Sequence, residues 1–339
     1  MTDALRTSLM LPVEHAPGED IAERFKNMLE VARLAEQGGI DMLAAPQHYL
    51  AAPSQYLHCV PVLARVAAEV SRVSLLTNII QLTLHHPVEV AETLATLDVV
   101  CGGRLIVGFG RGYHEKEFNS FGVPPGKRLS RFLEALQLVE RLWTEDNVTH
   151  DGEHFTLDGV SLGIKPLQRP RPMMILGASA DAMIARTARL ADGLSLAGHS
   201  TLDGQKRQVA LYRDALVAQG KSQNPRFLRV GVECYVGTDN ESALREALPH
   251  VARKYANYAG WGQDDVLPED QSFALPAEEL AAGRFVIGDP AYVIDRILEY
   301  RQALGMNVFG MRMHWVGMPH AMVMKSVSRF CEHVLPFIR

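Results

Sequence analysis

Two glycine-bearing stretches of the 339-residue chain place anion-binding groups directly after apolar runs. In RLIVGFGRGYHEKEFNSFG (residues 104–122), glycines 108, 110 and 112 surround Arg111, so backbone can approach a ligand beside one fixed positive charge. In MMILGASADAMIARTARLADG, an apolar run ends at Gly177, and Ala178-Ser179 precede a helical pattern. Unsatisfied amides at a helix N-terminus, with a small hydroxyl beside them, bind anions. One arginine and one helix start at the same place suit a single phosphate group. The first stretch is not a dinucleotide fingerprint. Its spacing is GxGxG, position 113 is Tyr, and no acidic residue stands about 20 residues further on to hold a ribose.

Other polar residues also follow apolar runs: Gln47 and His48, Asn78, His114, His199, and late in the chain Arg312 and His314. His48 and His114 are the candidate proton donors or bases, with His58 starting the helix after His48. No Asp or Glu is in this set, which argues against a carboxylate-held metal or a glycosidase pair. Glu115 and Glu117 are expected to face solvent. His85-His86-Pro87 reads as a packed turn before a helix, because neighbouring side chains point apart and no third metal ligand follows. GxSxG, HExxH and Walker sequences are absent.

The elements that must position these residues alternate regularly. Apolar runs at Thr7–Pro12, Ile40–Ala45, Val73–Ile79, Leu105–Gly108, Met173–Gly177, Gly193–Ala197, Leu228–Val236 and Asn307–Met313 read as strands buried on both faces. Helical spacing marks the segments between them, from Ile21–Gly38 to Pro290–Leu304. Eight such units imply a (β/α)8 TIM barrel, one α/β domain over residues 1–339, with an open doubly wound sheet as the alternative. The working face of a barrel lies at the carboxyl ends of its strands, where the polar set falls. Residues 144–171 are expected to form an excursion of short strands. The polar, Pro-bearing stretch 261–283 is the candidate lid.

Composition narrows the function further. Hydrophobic residues make up 47% and charged residues 22%, enough for a large core. A net charge of -5 without a basic run argues against nucleic acid as a partner. No run reaches the length of a membrane span and the start lacks a signal-peptide pattern, so a cytoplasmic protein is expected. The four cysteines are widely spaced and expected to be reduced and buried.

LTLHHPVEVAETLATLDVVCGGRLIVGFGRGYHEKEFNSFG, LWTEDNVTHDGEHFTL and PLQRPRPMMILGASADAMIARTARLADG together resemble the bacterial luciferase-like, flavin-dependent monooxygenases. The last βα unit, GDPAYVIDRILEYRQALGMNVFGMRM with FCEHVLPFIR, fits the same family. The resemblance implies FMN, or less readily the deazaflavin F420, as cofactor. Arg111 would meet the flavin phosphate together with the turn Gly177, Ala178 and Ser179, with His114 close by. Asn78-Ile79 would back the flavin ring through a non-prolyl cis peptide. The family's strand-two motif is usually Glu-His-His; here it is Pro46-Gln47-His48, so the catalytic-base position carries Gln47 and light-emitting aldehyde oxidation is not expected. The expected activity is oxygenation of a small, mostly apolar organic substrate by O2 and reduced FMN. A separate flavin reductase would supply the reduced flavin, and the chain would form a homodimer through the helix at Tyr56–Val70. The alternatives are an F420-dependent reductase or dehydrogenase and a non-catalytic flavin-binding partner subunit.

Overall fold

A computed structural model describes residues 4–260, 273 and 275–339. Eight parallel strands close on themselves, each beside its chain neighbours: β1 (Arg6–Met10), β2 (Met42–Ala45), β3 (Ser74–Gln81), β4 (Leu105–Gly110), β5 (Met173–Gly177), β6 (Gly193–Leu196), β7 (Phe227–Val236) and β8 (Val308–Arg312). Closure is made where β8 pairs with β1, Arg6 opposite Val308 and Met10 opposite Arg312. The chain is therefore a (β/α)8 barrel and not an open sheet. Each expected apolar run carries one barrel strand. A short strand, Val286–Gly288, adds to the outer end of β7.

Strand alternation divides the side chains in two. Met42, Ala44, Leu76, Ile106, Ile175, Phe227 and Val308 point inward and fill the bore as one apolar cluster. Their neighbours, such as Leu43, Leu75, Val107, Leu176 and Phe309, point outward and pack with the helices in the main core. Helix boundaries follow local chemistry. The Asp20 carboxylate accepts from the amides of Ala22 and Glu23 at the start of Ile21–Gln37. Asp289 and Pro290 open the helix Pro290–Leu304, which Gly305 ends in a left-handed turn. The helix Cys59–Ala67 turns Cys59, Val62, Leu63, Val66 and Ala67 into the chain's own core. The 144–171 excursion contains the antiparallel hairpin Val148–Asp151 with Thr156–Val160. Of the candidate lid, residues 261–272 and 274 lie outside the described residues, and Ala277–Ala281 forms a short helix.

The element that shapes the barrel mouth is β3. Its pairing with β4 shifts register between Thr77 and Ile80, and the Asn78–Ile79 peptide in that interval is cis. Thr77 repairs the interrupted ladder with its side chain. Its Oγ1 accepts from the Gly108 amide at 2.8 Å and donates to the Gly108 carbonyl at 3.0 Å. A bulky Ile79 fits because three neighbours lack a Cβ. A Cβ at Gly110 would lie 2.6 Å from Ile79 Cδ1, one at Gly177 2.8 Å from Ile79 Cγ2, and one at Gly108 2.2 Å from the Thr77 carbonyl oxygen. Gly108 meets backbone, which cannot rotate away. Gly108→Ala should cost about 2 kcal/mol or more, lowering the urea midpoint without changing the slope. An unchanged midpoint would remove Gly108 from this account.

Candidate active site

The carboxyl ends of the strands surround a cavity of about 260 Å³. Of the residues singled out from sequence, Gln47, His48, Asn78, Arg111, Gly177, Ala178 and Ser179 all line it. His114 does not; it precedes the short helix Glu115–Ser120, its Nδ1 4.0 Å from Glu117 Oε2. His314 is half-buried and does not line the cavity either; its ring lies 5.6 Å from that of His15.

One side of the cavity carries Arg111 and the start of a helix. Arg111 follows β4, and the Thr83 hydroxyl donates to its backbone carbonyl at 2.8 Å. Among the described residues its guanidinium makes no hydrogen bond or ion pair. Across the same cavity, the helix Asp181–Leu190 begins after Gly177-Ala178-Ser179. Ser179 is not its cap: Ala180 holds that position and no side chain caps the helix, which leaves the Ser179 hydroxyl available. The Ser179 carbonyl is held by Gln208 Nε2 at 2.9 Å. The amide of Ala178 donates to the Ser195 carbonyl at 3.4 Å, so the donors left to a ligand are those from Ser179 onward.

The opposite side of the mouth carries a carboxylate–histidine pair. Glu117 is completely buried, not solvent-facing as expected. Its Oε1 accepts from the Tyr49 amide at 2.7 Å and from Gln81 Nε2 at 2.9 Å, and lies 3.2 Å from His48 Nδ1. Burial alone would raise the Glu117 pKa. The hydrogen bond and charge of His48, with the donors from Tyr49 and Gln81, outweigh it and hold the carboxyl below its ordinary range. With Nδ1 turned to the carboxylate, Nε2 is the ring nitrogen of His48 that faces away from Glu117. Gln47 is engaged on both ends of its amide. Its Oε1 accepts from the Gln81 amide at 2.9 Å, and its Nε2 lies 3.3 Å from the Tyr49 hydroxyl and 3.2 Å from His58 Nε2. It locks β2 to β3.

A third wall was not foreseen. Glu233 on β7 lines the cavity, although the sequence-derived set held no carboxylate. It accepts from Lys254 Nζ and, at 2.6 Å, from Trp315 Nε1. Burial pushes the Lys254 ammonium down to about 8 against the opposing pull of Glu233. Burial would raise Glu233, but the Lys254 and Arg312 charges and the two donors keep it ionised. His199, buried beside this pair with its ring centre 6.1 Å from that of Tyr255, is pushed down to about 3 by burial and the Lys254 charge and stays neutral. Among the described residues, no group of three His, Cys, Asp or Glu is arranged to hold a metal ion. All four cysteines are free and buried.

The barrel fold and the bulged third strand agree with what the sequence resemblance implied. The profile of the luciferase-like monooxygenase family matches residues 5–307. The chain belongs to that family. It is similar to the FMNH(2)-dependent dimethylsulfone monooxygenase of Pseudomonas putida, with 28% identity over 75% of this chain and 71% of that protein. It is equally similar to the F420-dependent glucose-6-phosphate dehydrogenase of Beutenbergia cavernae, with 29% identity over 94% of this chain and 95% of that one. Among solved structures, monooxygenase RslO1 from Streptomyces bottropensis superposes with a TM-score of 0.87 at 26% identity, covering 98% of this chain and 99% of that chain. The chain is thus a member of an oxidoreductase family, with relatives on both sides of the FMN and F420 divide.

Glu233 and Arg229 were overlooked because Leu228–Val236 reads as uninterrupted apolar strand. A signal was present: Arg229, Gly231 and Glu233 alternate with Val230, Val232 and Cys234, giving β7 one polar face. Glu117 had no local signal, since its partners lie 36 to 69 residues away in sequence. Its depressed pKa predicts a pH dependence. The unfolded state binds more protons than the folded state below the ordinary carboxylate pKa of about 4.5, so the stabilisation is full at neutral pH and is lost as pH falls through the folded value. Glu117→Gln should be less stable than wild type at pH 7, and the gap should narrow in acid. A gap independent of pH would show that Glu117 is not ionised in the fold.

Proposed function

We propose that this protein is an FMN-dependent monooxygenase that uses O2 and reduced FMN, supplied by a separate reductase, to oxygenate a small organic substrate. The observation that carries this reading is the unpaired Arg111 guanidinium across one cavity from the open amides and hydroxyl at Ser179. One arginine, one hydroxyl and one helix start match the dianionic phosphomonoester that ends FMN. The deazaflavin F420 instead carries a phosphodiester with an extended tail. Similarity to an FMNH(2)-dependent relative supports the choice, and similarity to an F420-dependent one makes hydride transfer the competing reading.

Reduced FMN, when bound, supplies the electrons that activate O2. The chain's own residues then have separable tasks. Arg111 and the turn at Ser179 hold the phosphate. Ile79 and Asn78 form the surface against which the ring rests. His48, set by Glu117, accepts or returns a proton at Nε2. Gln47 and Gln81 hold that histidine's strand in place. Tyr56 and Tyr113 pack edge-on to the His48 ring, with centres 5.5 and 5.8 Å away, and keep it from rotating into solvent. The homodimer remains part of the proposal. Its support is the family resemblance, because the apolar residues of Cys59–Ala67 are spent on the chain's own core.

Three measurements test this reading. Substrate-dependent O2 uptake with reduced FMN, and no turnover with reduced or oxidised F420, is the expected outcome; F420 chemistry without O2 overturns it. Arg111→Ala should weaken FMN binding by about 1.5–3 kcal/mol, the size of a lost charge-assisted hydrogen bond, and unchanged affinity in a fluorescence-quench titration would remove the phosphate assignment. His48→Ala should lower kcat by about 10²–10⁴ with FMN affinity kept, which fails if kcat is unmoved.

A further inference from the structure

Arg229 is the buried charge left unexplained by these roles. It lies on β7 inside the barrel and is 3% exposed, yet it lines the cavity. Among the described residues no carboxylate pairs with it. Its nearest partners are two hydroxyls, Ser195 Oγ at 3.3 Å from Nη1 and Ser8 Oγ at 3.4 Å from Nε. The other charge it feels is Arg312, which repels it. An isolated buried cation is among the costliest features a core can carry. The barrel has nevertheless made room for this one. A Cβ at Gly310 would lie 2.3 Å from Arg229 Cζ, and one at Gly231 3.2 Å from Nη1.

The hydrogen bonds around Arg229 have a direction. Its guanidinium donates to Ser195, and Ser195 donates to Asn78 Oδ1 at 3.1 Å. With its oxygen turned to Ser195, Asn78 has its two amide N–H donors to offer a ligand. The inner end of the cavity is therefore donor-rich and positive, at a separate place from the Arg111 rim. Two-electron reduction gives the FMN ring a delocalised negative charge near neutral pH, whereas the oxidised ring is neutral. We infer that Arg229, with Ser195 and Asn78, makes the cavity selective for the reduced, anionic form of the flavin ring. The inference rests on the FMN reading and adds to it a means by which the protein prefers the form that a reductase would deliver.

The full-length protein is titrated with oxidised FMN in air and with photoreduced FMN under anaerobic conditions, in wild type, Arg229→Met and Arg229→Lys. Reduced FMN should bind wild type about tenfold or more tightly than oxidised FMN, a ratio equal to about 1.4 kcal/mol. Arg229→Met should bring the ratio close to one while changing oxidised-FMN affinity little, and Arg229→Lys should keep part of it. The ligand-free Arg229→Met protein should melt at or above the wild-type temperature, because an unpaired buried charge has been replaced by a side chain of similar length. A wild-type ratio of one, a ratio unchanged in Arg229→Met, or a large fall in melting temperature would overturn the proposal and leave the FMN reading standing. Failure of both FMN forms to bind would overturn both.

Discussion

The barrel mouth depends on one packing constraint, the seating of Ile79 among Gly108, Gly110 and Gly177. A closed eight-stranded barrel would ordinarily fill its own bore with side chains, layer on layer. Here the apolar filling of Met42, Leu76, Ile106, Ile175, Phe227 and Val308 stops, and the next inward positions on β4 and β5 are glycines. The bulge in β3 enters the space they leave and brings Asn78 to the cavity wall. Without those glycines Ile79 would have no place, and without Ile79 the glycines would line a void. Thr77 makes the exchange tolerable, because its hydroxyl takes both ladder hydrogen bonds that the bulge would otherwise leave to Gly108 unpaired.

Above that surface the electrostatics are divided. The rim near Arg111 is positive and open, whereas the wall near Glu233 is charged but internally balanced by Lys254 and Trp315. Such a wall changes the picture of a plain apolar substrate pocket. The cavity surface there is made by the Glu233–Lys254 ion pair and His199, and any group buried against them must satisfy the hydrogen bonds it displaces. His48 lies on another wall with its own buried carboxylate. The cavity therefore brings together Arg111, the Asn78–Ile79 bulge, His48 and Glu233, each set by a different βα loop or strand end.

The architecture was legible in the sequence because it is repeated eight times. Each strand is an apolar run and each helix a period of 3.6, so an error in one unit leaves the others intact. That Arg111 and Ser179 reach the cavity was legible for a related reason: both follow a strand at its carboxyl end, where the mouth of a barrel lies. Glu117 was not. Its neighbours Glu115 and Lys116 are exposed, and only the fold brings the Tyr49 amide, Gln81 and His48 around the third residue of that short helix. Glu233 was legible only to a reader who took the alternation within β7 seriously instead of its mean hydropathy. The Ile79 side chain presents the converse case. Its bulk speaks against a distorted strand end when read alone, and favours one when read with glycines 29 to 98 residues further along the chain.

The same comparison explains why a site can hide in a stable-looking core. Inward-facing β7 positions carry Arg229, Gly231 and Glu233, whereas the corresponding β2 and β3 positions carry Met42, Ala44 and Leu76. β7 and β8 still give Phe227 and Val308 to the packing, so the chemical arc is the mouth-side part of these two strands. The chemical arc holds together because its charges are not interchangeable. Glu233 has two donors, one of them the Lys254 cation, so removing either still leaves it partnered. Arg229 has only neutral hydroxyls, so the apo protein bears a cost that a bound anion can offset. A core that maximised its own stability would have an apolar residue at 229 and side chains at 231 and 310. The arginine, with Gly231 and Gly310 packed against its guanidinium, shows that this part of the barrel is not built for packing alone.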